Sequence, residues 1–149
     1  MQALTRAADR GVKVRLYLDS TQFAERAPTK VFRDLAETPS VEIRTKHRPA
    51  APMHLKSYQI DGKLLRTGAA NFSATGLKRQ DNDLIVIESA DAAAAFERNF
   101  EARFAGGNLY RQVQINRPAP SSPPKMARVA PFVPMCSIIA RTHQPIHIN

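Results

Sequence analysis

Met53-His54-Leu55-Lys56-Ser57-Tyr58-Gln59-Ile60-Asp61-Gly62, followed by Gly68-Ala69-Ala70-Asn71-Phe72-Ser73, places polar groups where the flanking residues predict strands. Side chains alternate between the two faces of a strand, so His54 and Lys56 point one way and Leu55 the other. An imidazole is thereby paired with a cation. Ser57 to Ile60 continues the extended run, Asp61-Gly62 is a two-residue hairpin signal, and Lys63-Leu64-Leu65-Arg66-Thr67 returns as the next strand. Asn71 follows just beyond it. This set can offer a nucleophile or general base, a fixed positive charge and an amide donor to one anionic centre. A histidine and a lysine two apart are common on solvated strand faces. The hairpin, the Gly-Ala-Ala-Asn turn and the hydrophobic strand after it, in that order, give the pair its chemical reading.

Upstream, Leu4, Ala7 and Ala8 fall at helical spacing within Met1 to Arg10, and Gly11 stands where a helix end commonly needs a left-handed residue. Val12 to Leu18 alternates, with Val12, Val14, Leu16 and Leu18 toward the core, until Asp19 and Ser20 end the strand. Ligands often sit at such strand ends in α/β folds, but a cap or turn role is the favoured reading of Asp19. Pro28 to Glu37 predicts a short helix with Val31, Phe32 and Leu35 on its buried stripe, and Val41 to Arg44 the next strand. Thr45 to Pro52 is a basic, proline-stiffened loop running into His54. Arg44, Lys46 and Arg48 either steer a phosphodiester toward the site or form a solvated charge run; the two readings stand level. His47 reads as a loop residue rather than a second catalytic histidine.

Downstream, Ala74 to Arg79 is a polar connection and Asp83 to Glu88 reads as a buried strand. Asp91 can cap a helix from Ala92 to Phe104, whose Phe96, Phe100 and Phe104 lie on one face as core rather than as a base-stacking platform. Gly106-Gly107 ends the helix, and Leu109 to Ile115 predicts a short strand. From Asn116 onward come seven of the chain's eleven prolines, a composition that predicts extended or disordered chain. The expected organisation is a domain over 1–115 and a Pro-rich, disordered tail over 116–149. His143 and His147 have a four-residue spacing, but Pro145 breaks the helix that would align them on a metal, so no metal site is expected.

A chain of 149 residues can form one domain with a core of ordinary size. Its 22 basic against 13 acidic residues give a formal +9, which favours phosphate-rich partners: nucleic acid first, anionic lipid behind it. Cys136 is the single cysteine, so no intrachain disulfide forms and the redox compartment is not legible. No apolar run approaches a membrane span and the N-terminus lacks the pattern of a secretory signal. Stable membrane insertion is not expected, and cytoplasm and periplasm both remain open. No repeat recurs at a fixed period.

His54-x-Lys56-x4-Asp61-Gly62, then Gly68-x-x-Asn71, resembles the HKD motif of the phospholipase D superfamily, especially its short bacterial endonuclease branch with one motif per chain. The likeness extends through Ala3-Leu4-x-x-Ala7-x-x-Arg10-Gly11-Val12-x-Val14 and Asn82 to Ile87, as far as the helix ending near Phe104. It implies an α/β fold, a mixed sheet flanked by helices, here expected to lack the family's first strand and helix. It also implies metal-free, two-step phosphodiester cleavage without a cofactor. His54 would be the nucleophile, Lys56 and Asn71 would bind the nonbridging oxygens, and Asp61 would organise the motif's hydrogen bonds. A second histidine must protonate the leaving oxygen, which implies a homodimer with a shared active site.

Two positions depart from the family pattern. Ala69 stands where serine often follows the glycine, and ungapped spacing puts Asn82 where an acidic residue orients the histidine ring. Asp83 is the favoured substitute, because a carboxylate can fix the imidazole tautomer as an amide cannot. The expected function is an endonuclease hydrolysing DNA or RNA through a phosphohistidine intermediate. A phospholipid hydrolase or transferase would use the same residues. An inactive nucleic-acid-binding remnant is the remaining alternative, favoured by the missing elements and by Ala69.

Overall fold

Val14, Leu16 and Leu18 have no solvent exposure, and Tyr17 between them is buried as well. A strand buried on both faces lies inside a sheet covered on both sides. That strand is β1 (Lys13–Leu18) in a computed structural model, which describes residues 1–24, 29–47, 53–73, 78–110 and 136–142. Helix α1 (Gln2–Asp9) precedes it, and the chain turns at Gly11, whose φ of +86° is the left-handed conformation expected there. Helices α2 (Ser20–Ala24) and α3 (Lys30–Glu37) carry the chain to β2 (Val41–Thr45), which pairs parallel to β1. The sequence reading did not anticipate α2. Thr29 caps α3 by accepting from the Phe32 amide at 3.3 Å, and Phe32 and Leu35 are buried beneath the helix. Pro28 lies outside the described residues.

Strands β3 (Ser57–Ile60) and β4 (Leu64–Gly68) form the expected hairpin, but Ile60 pairs with Leu64, so the loop has Asp61, Gly62 and Lys63 rather than two residues. Asp61 (φ 52°) and Gly62 (φ 69°) both take left-handed backbone, the conformation for which this dipeptide is suited. Next come β5 (Leu84–Glu88), α4 (Ala90–Ala105), β6 (Asn108–Leu109) and β7 (Cys136–Arg141). Ser89, not Asp91, caps α4, accepting from the Ala92 amide at 3.2 Å; Asp91 sits in the first turn, where its charge suits the helix dipole.

The seven strands run β5-β4-β3-β7-β1-β2-β6 in one sheet. Parallel pairs (β1/β2, β3/β7) and antiparallel pairs (β1/β7, β3/β4, β4/β5, β2/β6) make it mixed. One face packs Val14, Leu16, Leu18, Ile43 and Ile138 against Ala8 of α1 and Phe32 and Leu35 of α3. On the other, Tyr17, Met53 and Ile139 meet Phe100 and Phe104 of α4. The α/β class, a mixed sheet flanked by helices, is therefore the architecture observed.

Two expectations are corrected here. Cys136–Arg141 is not disordered tail: it is a central strand between β1 and β3, with Ser137, Ile138 and Ile139 buried. The rest of 116–149, apart from Thr142, lies outside the described residues, His143 and His147 included. Likewise β5 is not buried. It is an edge strand whose Leu84, Ile85 and Val86 are each more than half exposed, because α4 packs across β4, β3 and β1 rather than over it.

Candidate active site

Strand directions decide which residues can meet. β7 runs antiparallel to β1 and parallel to β3, so the C-terminal ends of β1 and β2 lie at the same edge of the sheet as the start of β3. The end of β4 and the start of β5 fall there too. Asp19, Lys46, His54, Lys56, Asn71 and Asp83 are consequently gathered at one end, whereas the β3–β4 turn with Asp61 lies at the other.

At the gathered end, Lys56 Nζ lies 2.9 Å from His54 Nδ1 and donates to the His54 carbonyl at 2.8 Å. Lys56 is 3% exposed while the imidazole faces solvent. Burial disfavours the ammonium form and lowers the Lys56 pKa from its ordinary value. With Lys56 charged, Nδ1 acts as acceptor and the ring proton sits on Nε2.

Asn71 lies beyond β4 with its side-chain oxygen buried and without a hydrogen-bond partner among the described residues. That oxygen is an acceptor, so the contact it lacks is a donor. Gly68 sets the approach to this loop. Its φ is +146°, and a Cβ there would stand 2.3 Å from the Asp83 carbonyl oxygen, so only glycine fits. The same carbonyl accepts from the Ala69 amide at 3.0 Å, joining the loop to the start of β5.

Two buried charges hold the pieces together. Asp19, 2% exposed, accepts from the Met53 amide at 2.7 Å and so fixes the chain one residue before His54. Arg66, 2% exposed, donates to the Lys56 carbonyl through one guanidinium nitrogen and to the Ala70 carbonyl, at 3.2 Å, through the other. Its guanidinium also lies 4.7 Å from the centre of the Phe72 ring. One planar fork thus joins the His-Lys segment to the asparagine loop. Sequence reasoning missed both functions. The available signals were a carboxylate at a strand end, assigned to a cap or turn, and an arginine in an otherwise apolar strand position.

Other expected residues fall elsewhere. Asp61 does not organise the site: β3 separates it from His54, and its carboxylate instead accepts from the Thr142 amide at 2.7 Å and the Thr142 hydroxyl at 3.1 Å. The Asp83 side chain is exposed and makes no hydrogen bond to His54 among the described residues; its backbone, not its carboxylate, shapes the site. Arg44 is committed to the fold. It pairs with Glu42 at 2.8 Å, donates to the Phe104 and Ala105 carbonyls at the end of α4, and stacks 4.7 Å over Phe104. Lys46 is at the correct end, its amide bonded to the Leu18 carbonyl at 2.9 Å, and Arg48 lies outside the described residues. His47 is exposed beside Asn108, 2.9 Å from its side-chain oxygen. Among the described residues no group of three His, Cys, Asp or Glu side chains is placed to hold a metal ion.

An exposed imidazole on a buried ammonium, at the edge of a mixed α/β sheet, defines a candidate centre for chemistry on an anionic ester. The chain belongs to the phospholipase D superfamily: residues 1–104 match the family described as cardiolipin synthase, PLD-like domain. It is 33% identical over 104 residues to a protein named phospholipase D from Rickettsia conorii, covering 69% of this chain and 50% of that one. A second phospholipase D, from Rickettsia bellii, is also 33% identical over 104 residues, at 69% and 49% coverage. The chain thus spans about half the length of these curated relatives. Its fold is similar to the crystal structure of Nuc, a phospholipase D family member from Salmonella typhimurium, with a TM-score of 0.59 at 23% identity, covering 74% of this chain and 72% of that one.

Proposed function

We propose that this chain is a phosphodiesterase of the endonuclease type, cleaving DNA or RNA without a metal. The observation that carries the reading is the contact between Lys56 Nζ and His54 Nδ1. The formal charge of +9 supports a polyanionic substrate.

In this reading Lys56 and Asn71 bind the nonbridging oxygens of the phosphodiester and stabilise the charge that develops there. Nε2 of His54 attacks phosphorus; a P–N bond forms as a P–O bond breaks, and the leaving oxygen takes a proton from His54 of the partner subunit across a two-fold axis. Water then attacks phosphorus, the P–N bond breaks, and the partner's His54 regains its proton from that water. Asp19 and Arg66 position the reacting segment without touching substrate.

A second reading is phospholipid hydrolysis or transfer by the same steps, and the names of the Rickettsia relatives favour it. The test offers single-stranded DNA, RNA and phosphatidylcholine vesicles to the purified chain, with and without EDTA, beside His54→Ala. The expected result is cleavage of a nucleic acid that survives EDTA and disappears in the variant. Release of a lipid headgroup alone selects the second reading. Activity lost on chelation and restored by a divalent ion overturns the metal-free step.

A further inference from the structure

The two edges of the sheet are built differently. β6, at one edge, is two residues long, and so short an edge offers little for another strand to pair with. β5, at the other, is five residues long, and no strand lies along its outer side among the described residues. Edge strands of soluble proteins are commonly blunted by lysine or proline, yet residues 80–97 contain neither, and no arginine. Leu84 (51%), Ile85 (53%), Val86 (53%) and Ile87 (36%) are exposed there in succession. Leu84 and Val86 stand on one face of the sheet and Ile85 and Ile87 on the other. A partner laid on a single face would leave half of them in water. A strand paired along the edge meets both sets.

The charges around the edge restrict what that strand can be. Residues 80–97 form the longest stretch without lysine or arginine in a chain of formal charge +9, and five of the 13 acidic residues lie in it. Asp83 and Glu88 bracket the four apolar residues, and Asp81 and Asp91 stand close beyond them, all exposed. None of these four carboxylates enters a salt bridge among the described residues. Lys63, Lys78 and Arg79, the cations nearest β5 along the hairpin and the chain, pair with none of them. A second copy of β5 would bring the same carboxylates to the same edge, and a polyanion would be repelled. Cations at the two ends of an extended segment would be attracted.

We propose that the open edge of β5 docks an extended segment of a partner polypeptide, a run of about four apolar or β-branched residues bracketed by lysine or arginine, as a further strand of the sheet. Main-chain hydrogen bonds along the edge supply the pairing. Alternate side chains of the segment pack beside Leu84 and Val86 on one face and beside Ile85 and Ile87 on the other. The bracketing cations, facing Asp83 and Glu88, stand about 17 Å apart, five residues at about 3.4 Å each. The proposal rests on the sheet edge and is independent of the assigned activity.

The probe is a fluorescein-labelled, end-blocked peptide of sequence GKVTVIRG, compared with GEVTVIEG and with GKVTPIRG, whose proline removes a backbone donor. Anisotropy with the full chain is expected to show saturable binding of the first, with the other two at least roughly tenfold weaker. Bound peptide should slow hydrogen exchange of amides within residues 84–88. Val86→Lys, a charge set on the exposed edge, should abolish binding. Asp83→Asn combined with Glu88→Gln should weaken it roughly fivefold to tenfold and remove the preference over GEVTVIEG. Should Val86→Lys fail to fold, the double amide variant decides alone. Equal binding of the three peptides, no saturation below roughly 1 mM, or protection confined to residues outside 84–88 overturns the proposal. So does a concentration-dependent dimer that Val86→Lys dissociates, which would assign the edge to a second copy.

Discussion

The hairpin β3–β4 and the strand β7 lie side by side in one sheet but are held there by opposite means. The hairpin closes over three residues, two of them already in left-handed backbone, so its ordering costs little chain entropy. β7 pairs residue 13 with residue 141, and its place is secured only once the rest of the sheet exists. The candidate centre is attached to the first of these regions and the coherence of the sheet to the second. Chemistry and stability are therefore expected to respond to different substitutions.

The largest expected effect is His54→Ala. Removal of the nucleophile should lower turnover roughly 10⁴-fold or more, about 5.5 kcal/mol in the barrier, as in other covalent catalysts. Because the imidazole is exposed, the melting temperature should move by no more than about 2 °C. Turnover and thermal melts on the same preparation measure both sides of the contrast. Near-normal turnover would reassign the nucleophile, and a collapsed melting temperature would make His54 part of the scaffold.

Ile139→Ala is the converse. Ile139 is 1% exposed and packs with Tyr17, Met53, Phe100 and Phe104, so truncation should cost about 2–5 kcal/mol. The urea midpoint should fall in a single transition, because the sheet falls into two halves without β7. An unchanged midpoint would place residues 136–141 outside the sheet.

Between the two regions stands Arg66, which belongs to the hairpin but serves the centre. Arg66→Leu strands the Lys56 and Ala70 carbonyls, at about 1–3 kcal/mol of stability, and loosens the asparagine loop against the lysine. A displacement of about 1 Å is enough to cost roughly a hundredfold in rate. Arg66→Lys retains a charge but lacks the fork that reaches both carbonyls, so its rate should resemble that of Arg66→Leu. Full activity in the lysine variant would show that charge alone suffices and that the bridge is incidental.

The same contrast explains what was legible in the sequence. The alternation of Val14, Leu16 and Leu18, the Asp61-Gly62 turn and the periodic phenylalanines of α4 are local patterns, and local patterns dictated those elements. His54 and Lys56 lie just before β3 and Asn71 just after β4, so the legible hairpin is what brings them to one end of the sheet. β7 was not, because six residues after a proline-rich stretch acquire their role from β1 and β3, far away in sequence. For β5 the residues predicted a strand correctly, yet burial depends on which helix lies over it. Asp61 was misplaced for a related reason: a fixed spacing from His54 does not reveal that a whole strand lies between them.

The smallest expected effect separates the chemistry of Lys56 from its effect on stability. Burial lowers the pKa of Lys56 from 10.5, so the fold carries a desolvated ammonium that the unfolded chain does not. Between the lowered value and 10.5 the unfolded state binds more protons, and stability rises with pH across that window. Below it both states are protonated and the penalty is present in full. Lys56→Met keeps much of the packing of the stem and removes the charge, so at neutral pH it should raise stability by roughly 0.5–2 kcal/mol while abolishing turnover. The gain should shrink as the pH approaches 10.5, where wild-type Lys56 loses its proton in both states. Paired urea titrations at pH 7 and near pH 10 measure the difference. A methionine variant less stable than wild type at neutral pH would mean that the bonds from Lys56 to His54 outweigh the cost of its burial. The lysine would then belong to the scaffold as much as to the site.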